Sequence, residues 1–213
     1  MIMIRKIYDT LLKEHAHQKW WPISDFTKPK EWEICIGAIL TQNTAWKNVE
    51  KALSNLKNAN CKTVDDILWM DIRKLKRLIR PSGFFNQKAK RLKTFSRYVI
   101  DNFGSVENFL KNITREELLE VNGIGHETTD AILLYACGKP YFVVDAYTKR
   151  IFSRLGIIEQ TWGYEQVREL LEKNLPEDVK VYQEYHALIV KHAKECCKKT
   201  VNENCILRSL VIV

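Results

Sequence analysis

The chain has 213 residues, of which 46% are apolar, 28% charged and 10% aromatic, and its formal net charge is +8. This composition supports one or two domains with a hydrophobic core and excludes a mainly disordered chain. The longest apolar runs, such as 34–40, are far shorter than the roughly 20 residues that cross a bilayer, so no membrane span is predicted. The positive charge is compatible with an anionic partner, nucleic acid first, although solvated lysines give the same balance.

Apolar residues recur with helical spacing along most of the chain. The segments with this spacing are 4–12, 32–40, 49–56, 128–135 and 181–192. Capping boxes, in which a threonine accepts an amide and an acidic residue reaches back, are predicted at Thr63–Asp66 and Thr114–Glu117. One short run, Tyr141–Val144, is typical of a strand. The sequence therefore predicts an all-α protein of about ten short helices.

The most informative segment runs from Leu118 to Asp145 and contains Gly123-Ile-Gly125 followed by a helical pattern and a Gly/Pro loop. Two glycines in this arrangement permit a hairpin whose backbone enters positive φ. The helix after the hairpin presents free N–H groups and the positive end of its dipole, which suit an anion such as a phosphate. A tight helix–helix turn without a ligand explains the same pattern, so the glycine pair alone does not decide.

Three motifs together resemble one family. They are Ile39-Leu-Thr-Gln-Asn-Thr44, Pro81-Ser-Gly-Phe-Phe-Asn-Gln-Lys-Ala-Lys90, and the segment 119–133 with its loop to Asp145. Their order and spacing resemble the helix-hairpin-helix and Gly/Pro/Asp motif of the endonuclease III superfamily of DNA glycosylases. The resemblance implies two α-helical domains, one over 30–138 and the other over 1–29 plus 139–213. A cleft between them would hold a base that is flipped out of duplex DNA.

The resemblance also implies the catalytic groups. Asp145 occupies the position of the family's catalytic aspartate, where a carboxylate can stabilise an oxocarbenium-like sugar and orient a water. A helix N-cap is the alternative role for this residue. Glu127 stands where bifunctional members carry a lysine that forms a Schiff base with the sugar. Because a carboxylate cannot form an imine, we expect a monofunctional enzyme without strand cleavage, and Glu127 then touches the base, fixes a water or lines the cleft.

The choice of base follows from aromatic residues. Trp20-Trp21-Pro22 and Trp46 match positions that sandwich the base in the superfamily's 3-methyladenine DNA glycosylases, which this chain resembles most. Stacking and cation–π attraction favour a positively charged alkylated adenine, although core packing of the tryptophans is the alternative. Tyr147 lies beside Asp145, as in relatives that excise uracil or thymine. A deaminated or oxidised base is therefore the rival substrate.

Double-stranded DNA with a damaged base is the expected partner. The family's glutamine approaches the gap left by the flipped base, and it matches Gln42 here, with Asn43 beside it. Basic residues cluster at 73–80 and again at 88–97. The hairpin and one lysine of the second cluster complete the predicted DNA contacts: Gly123, Gly125, His126 and Lys88. We expect a monomer in the cytoplasm, associated with the nucleoid. The hypothesis from a different class is a non-catalytic DNA-binding module in which Asp145 only caps a helix.

Many relatives carry four cysteines that bind an iron–sulfur cluster near the end of the chain. Cys196 aligns with the first ligand, but Glu203 stands at the second place and Cys205 is off register. Because a [4Fe–4S] cluster normally needs four thiolates, no cluster, metal or other cofactor is predicted. Weak binding of another metal by Cys196, Cys197 and Cys205 is the alternative. The apolar end, 206–213, is expected to dock on the body of the protein or on a partner.

Overall fold

The computed structural model describes residues 2–198 and 205–210. Within these ranges the chain forms twelve α-helices. They are α1 (Ile2–His15), α2 (Glu31–Leu40), α3 (Trp46–Asn58), α4 (Val64–Trp69), α5 (Ile72–Ile79), α6 (Phe85–Phe103), α7 (Val106–Asn112), α8 (Arg115–Leu119), α9 (His126–Ala131), α10 (Ala146–Arg154), α11 (Tyr164–Asn174) and α12 (Val179–Glu195). Short 3-10 helices cover Arg80–Ser82 and Ile206–Leu210, and a π-helical turn, Ile132–Ala136, continues α9.

The all-α prediction is confirmed, because no residue of the described ranges lies in a strand. Tyr141–Val144, which has strand-like composition, is irregular chain that leads into α10. Both predicted capping boxes are confirmed, at Thr63 with Asp66 and at Thr114 with Glu117. No helix of the described ranges is long and apolar enough to span a membrane.

The chain folds into two compact units. The middle unit is Ile23–Cys137, and the terminal unit consists of Met1–Pro22 and Gly138–Val213. The family resemblance implies a first boundary at residue 30, whereas the segment after Pro22 belongs to the middle unit. The reason is Glu33, a buried carboxylate of α2 that accepts hydrogen bonds from Ser24 N at 2.8 Å, Ser24 Oγ at 2.9 Å and Phe26 N at 3.4 Å.

The core of the middle unit is built around α2. Every residue of this helix after Glu31 is buried, as expected for a helix that is apolar on all sides. Trp32 stacks on Phe95 of α6 with ring centroids 5.4 Å apart, and Phe95 meets Phe109 of α7 edge to face at 5.4 Å. Because α2 and α6 are fixed to each other by this stack, residues at their ends have defined neighbours.

The core of the terminal unit joins the two ends of the chain. Tyr185 of α12 is buried, donates its hydroxyl to Ile4 O of α1 at 2.9 Å, and packs edge to face on Tyr8 at 5.2 Å. Phe142 packs against Tyr182 and Tyr185 with centroid distances of 5.5 and 5.8 Å. Because Phe142 is buried, it fixes the chain that leads to Asp145, the residue directly before α10.

Candidate active site and binding surface

The hairpin between α8 and α9 depends on one glycine rather than two. Gly123 has a φ of +88°, which L side chains rarely adopt, and a Cβ there would lie 2.6 Å from Cγ of Arg91. Gly125 has a φ of −98° and a ψ of 177°, and a Cβ would meet nothing within 4 Å. The hairpin enters positive φ at Gly123, as the glycine pair permits, and at Gly125 it does not. Gly125, His126 and Glu127 lie at the start of α9, where the side chains of His126 and Glu127 are exposed.

Gln42, just after α2, is held on this hairpin. Its Nε2 donates to Gly123 O at 3.1 Å and to Thr128 Oγ1 at 2.9 Å, while its Oε1 accepts from Arg91 Nη1. The structure thus brings together three predicted features: the glutamine, the hairpin and the segment that carries the basic residues. It also identifies Arg91, which the sequence places only in a general basic cluster. Asn43, the next residue, has a φ of 53° and is exposed.

Lys88 is not a DNA contact, and this prediction is corrected. Its side chain is 1% exposed, and Nζ donates to Leu40 O at 2.8 Å and to Ser82 O at 2.6 Å. Burial, with a contribution from nearby Arg91, lowers the pKa of Lys88 to about 8. An ammonium that is enclosed in this way cannot reach a phosphate. It instead ties the carboxyl end of α2, where a cation is favoured, to the 3-10 turn.

Some other basic residues of α5 and α6 are bonded within the protein, and others are exposed to solvent. Lys93 is half-buried and donates to Leu68 O at 2.7 Å and to Met70 O, so it caps α4 rather than facing solvent. The exposed cations that remain available to a phosphate on α5, the 3-10 turn and α6 include Arg73, Lys74, Arg80, Lys90 and Arg97. Two of the lysines in the predicted clusters therefore serve the fold of the middle unit.

Phe84 is a surface residue of the second motif for which the sequence predicts no role. It is 63% exposed, its φ is 43°, and it precedes α6 directly after Gly83. A large apolar side chain held outward by a left-handed backbone is unusual, and such conformations cluster at functional sites. The signal in the sequence is an aromatic residue between a glycine and the start of a helix.

In the terminal unit, Asp145 forms the N-cap of α10. Its Oδ1 accepts from Thr148 N at 2.7 Å and Thr148 Oγ1 at 2.9 Å, and its Oδ2 lies 3.6 Å from Nε2 of His186 on α12. Burial alone would raise the pKa of Asp145, but His186 and the Thr148 donors outweigh it, so the pKa lies below its ordinary value. The site therefore keeps this carboxylate ionised. Its capping role, the alternative weighed from the sequence, is present as well.

Three more predicted site residues belong to the terminal unit. Trp20 and Trp21 lie in irregular chain after α1, Trp21 half-buried, with ring centroids 5.5 Å apart. The chain before them is fixed, because Gln18 N donates to Glu184 Oε1 at 2.7 Å. Tyr147 is half-buried beneath the guanidinium of Arg150, 5.1 Å from the ring centroid. Trp46, the remaining aromatic, is half-buried at the first position of α3 in the middle unit.

The cysteines near the end do not fit a four-thiolate cluster. Cys197 Sγ accepts from Arg154 Nη1 at 3.0 Å, and Cys205 Sγ lies 3.3 Å from Nε2 of His192. Among the described residues no group of three metal-binding side chains is present. Glu203, at the second ligand position of the family pattern, lies outside the described residues, as do 211–213 of the apolar end. The absence of a cofactor stays a prediction.

The chain matches known proteins along most of its length. The family model described as HhH-GPD superfamily base excision DNA repair protein matches residues 36–177. A protein of Methanocaldococcus jannaschii, named provisionally as a DNA repair glycosylase, is 50% identical over 216 residues, which cover 99% of this chain and 96% of that protein. Endonuclease III of Thermotoga maritima is 31% identical over 179 residues, which cover 83% of this chain and 80% of the relative.

Two solved structures share the fold. The 3-methyladenine DNA glycosylase of H. pylori, bound to 1,N6-ethenoadenine, is 36% identical with a TM-score of 0.77 and covers 91% of this chain and 96% of its own. An endonuclease III–DNA complex has a TM-score of 0.82 at 22% identity, with 99% and 94% covered, and supports the fold alone. By its family match and its relatives, the chain belongs to the HhH-GPD superfamily of base excision DNA repair proteins, as a DNA glycosylase of the endonuclease III type.

Proposed function

We propose that the protein hydrolyses the N-glycosidic bond of an alkylated purine, 3-methyladenine above all, after the base is flipped out of duplex DNA. The observation that carries the chemistry is the ionised Asp145, fixed by Thr148 and His186. The geometry supplies a charge at a defined position, which is what a cationic sugar transition state needs.

In the reaction, the bond between the sugar C1′ and the base nitrogen breaks, and its electron pair leaves with the base. An alkylated adenine already carries positive charge, so it departs without a strong general acid. The positive charge left on the sugar is stabilised by the Asp145 carboxylate. A water then bonds to C1′ and loses a proton, for which Asp145 is the proposed acceptor. The products are the free base and an abasic sugar.

Aromatic side chains support the choice of base. Trp21 and Trp46 are half-buried rather than fully enclosed, and Trp20 is adjacent to Trp21. Stacking with a charged ring, together with cation–π attraction, favours an alkylated purine over a neutral base. The H. pylori relative is a 3-methyladenine DNA glycosylase and was solved with a modified adenine, which supports the same substrate class here.

The proposed DNA surface of the middle unit consists of the hairpin, the turn at Gln42 and Asn43, and Phe84. Exposed backbone N–H groups at the start of α9 suit a phosphate. Phe84 is the kind of apolar side chain that minor-groove proteins insert between base steps, which kinks the duplex and helps a base to leave the stack. We expect the protein to act on DNA as a monomer in the cytoplasm, at the nucleoid.

The test is a panel of duplexes that each carry one lesion, scored for release of the free base. We expect release of 3-methyladenine, and we expect Trp46→Ala to slow it roughly ten- to a few-hundred-fold, because stacking and cation–π attraction are lost. Trp69→Ala is the matched control, since Trp69 is 70% exposed on α4 in the same unit. Normal release by folded Trp46→Ala contradicts a base-stacking role for this residue. If uracil is released instead, the proposed substrate is wrong and the glycosylase activity stands. If no base is released, the result supports a non-catalytic DNA-binding module.

A second prediction concerns strand cleavage. Glu127 is exposed on the first turn of α9, where the bifunctional relatives carry their lysine. A carboxylate cannot form the imine that borohydride reduces, so we expect no covalent trapping of the wild-type protein on damaged DNA. The measurement is a gel shift that survives denaturation, with a bifunctional endonuclease III as the positive control. Efficient trapping of the wild type means that another amine attacks the sugar, and the proposal of hydrolysis by water is then wrong.

A further inference from the structure

A side-chain network joins the end of α2 to the hairpin, and the proposed chemistry does not use it. Gln42 makes hydrogen bonds to Gly123 O, Thr128 Oγ1 and Arg91 Nη1. An amide side chain can form four such bonds, so three are already made within the middle unit. Gln42 therefore connects the end of α2 to the hairpin and to α6.

Arg91 sets the orientation of the Gln42 amide. A guanidinium donates hydrogen bonds and accepts none, so the oxygen of the Gln42 amide must face Arg91. The NH2 group then turns towards Gly123 O and Thr128 Oγ1, which both accept. With the amide reversed, NH2 would face the guanidinium and oxygen would face the Gly123 carbonyl. A hydrogen bond from a charged donor is also about twice as strong as a neutral one, which favours the observed arrangement.

Close packing strengthens the link to the hairpin. The stem of Arg91 crosses Gly123 so closely that a Cβ there would lie 2.6 Å from Cγ, 2.8 Å from Nε and 2.9 Å from Cδ. Lys88, one helical turn earlier on α6, holds the backbone of the same region through Leu40 O. The amino-terminal half of α6 therefore fixes both the backbone and the side chain at the end of α2.

We propose that Arg91 is a positioning residue for lesion recognition. By fixing the amide of Gln42 on Gly123, it makes the turn that carries Asn43 and the hairpin bind DNA as one preformed element. Preformed elements bind more tightly because less ordering is needed on association. The inference deepens the proposed function and rests on DNA binding by these segments, and it is independent of which base is released.

The experiment is a double-mutant cycle with Arg91→Met, Gln42→Ala and the double variant. Binding is measured to a duplex with one tetrahydrofuran abasic site, which needs no base in the pocket. We expect Arg91→Met to weaken binding roughly tenfold, Gln42→Ala to weaken it by a similar factor, and the double variant to bind no worse than Gln42→Ala. Met keeps the length of the apolar stem over Gly123, and Arg91 and Gln42 are half-buried, so the variants should fold.

Salt dependence separates positioning from direct phosphate contact. Lys90→Met is the matched control, because Lys90 is exposed on α6 next to Arg91. If Lys90 neutralises a phosphate, its removal lowers the salt slope by about one, whereas Arg91→Met should leave the slope unchanged. Arg91→Lys keeps a charged donor, so it should recover part of the affinity that Arg91→Met loses. This recovery should be seen only when Gln42 is present.

Three results overturn the inference: additive losses in the cycle, a salt slope that falls with Arg91→Met, or wild-type affinity of folded Arg91→Met. If Arg91→Met does not fold, the same cycle is measured with Arg91→Lys. We then expect a smaller loss of affinity when Gln42 is present, and no further loss when Arg91→Lys is added to Gln42→Ala. A wild-type protein that ignores the abasic duplex overturns both this inference and the proposed DNA binding. Release of a base other than 3-methyladenine changes the substrate and leaves the inference standing.

Discussion

Asp145→Asn is expected to slow release of the base by about a hundred- to ten-thousandfold, the range found when a group that stabilises transition-state charge is removed. The substitution keeps the shape of the side chain, and asparagine caps a helix as well as aspartate does. The Thr148 amide can still donate to it. The loss is therefore confined to the negative charge that the proposed mechanism places beside the sugar. Single-turnover release from a lesion duplex measures this step directly.

The matched control is Asp178→Asn. Asp178 caps α12 in the same unit, where its carboxylate accepts from Val181 N at 2.9 Å. It makes the same kind of cap, so any general effect of replacing a capping aspartate appears in both variants. Affinity for the abasic duplex should be preserved in Asp145→Asn, because the proposed phosphate contacts lie elsewhere. A folded Asp145→Asn that releases the base within about threefold of the wild-type rate contradicts the catalytic assignment.

His186 helps to keep the Asp145 carboxylate charged. The ring lies 3.6 Å from Asp145 Oδ2 and contributes to holding the pKa of this carboxyl below its ordinary value, against the effect of burial. Because the pKa is lowered, Asp145 is charged at neutral pH, and loss of its charge requires acid below the ordinary range of an aspartate. This partner could not be predicted from the sequence, since His186 lies on a distant helix without a motif.

Local features of this chain were predictable because their causes are local. The capping boxes at Thr63 and Thr114 need only a threonine and an acidic residue three positions later, and both form as expected. The hairpin also follows from a short motif. However, the need for glycine at Gly123 and not at Gly125 follows from a φ of +88° and from the packing of Arg91, which is remote in sequence. Long-range contacts of this kind, such as Gln42 on the hairpin, leave no spacing pattern to read.

Lys88 lies at a helical position that indicates burial, although its residue type does not. It lies in a basic run, which favoured a solvated or phosphate-binding role. Yet the buried face of α6 comprises Lys88, Ala89, Leu92, Phe95, Ser96 and Val99, which repeat at helical spacing. Counting this face places Lys88 inside, where an ammonium is tolerated because two backbone carbonyls accept hydrogen bonds from it. Residue type suggested the wrong environment, and helical position indicated the right one.

The second large effect concerns stability rather than chemistry. Arg115 of α8 and Asp130 of α9 form a bidentate pair, with Nε to Oδ1 at 2.7 Å and Nη2 to Oδ2 at 3.1 Å. Arg115 is 8% exposed and Asp130 is fully buried. The pair joins the two helices of the hairpin across its base. Both charges have been removed from water, so their pairing offsets part of the cost of burying them.

Asp130→Ala is expected to destabilise the protein by about 3–5 kcal/mol, because it leaves the Arg115 guanidinium buried without its partner. For a chain of this size, that corresponds to a fall of roughly 6–20 °C in Tm, measured by thermal unfolding. Lys191→Ala is the control, since it breaks the ion pair between Lys191 and Glu195. The side chains of these two residues are 42% and 48% exposed. An exposed pair of this kind is worth about 0–1 kcal/mol.

A double variant separates the lost partner from the lost volume. Arg115→Met with Asp130→Leu replaces the pair by apolar side chains, and it should be more stable than Asp130→Ala, because no charge is left uncompensated in the interior. Below its Tm, each variant should still release the base, since neither residue is proposed to touch DNA. If Asp130→Ala unfolds at the wild-type temperature, the pair does not hold the hairpin helices together. If the double variant is less stable than Asp130→Ala, the cost lies in packing rather than in the buried charge.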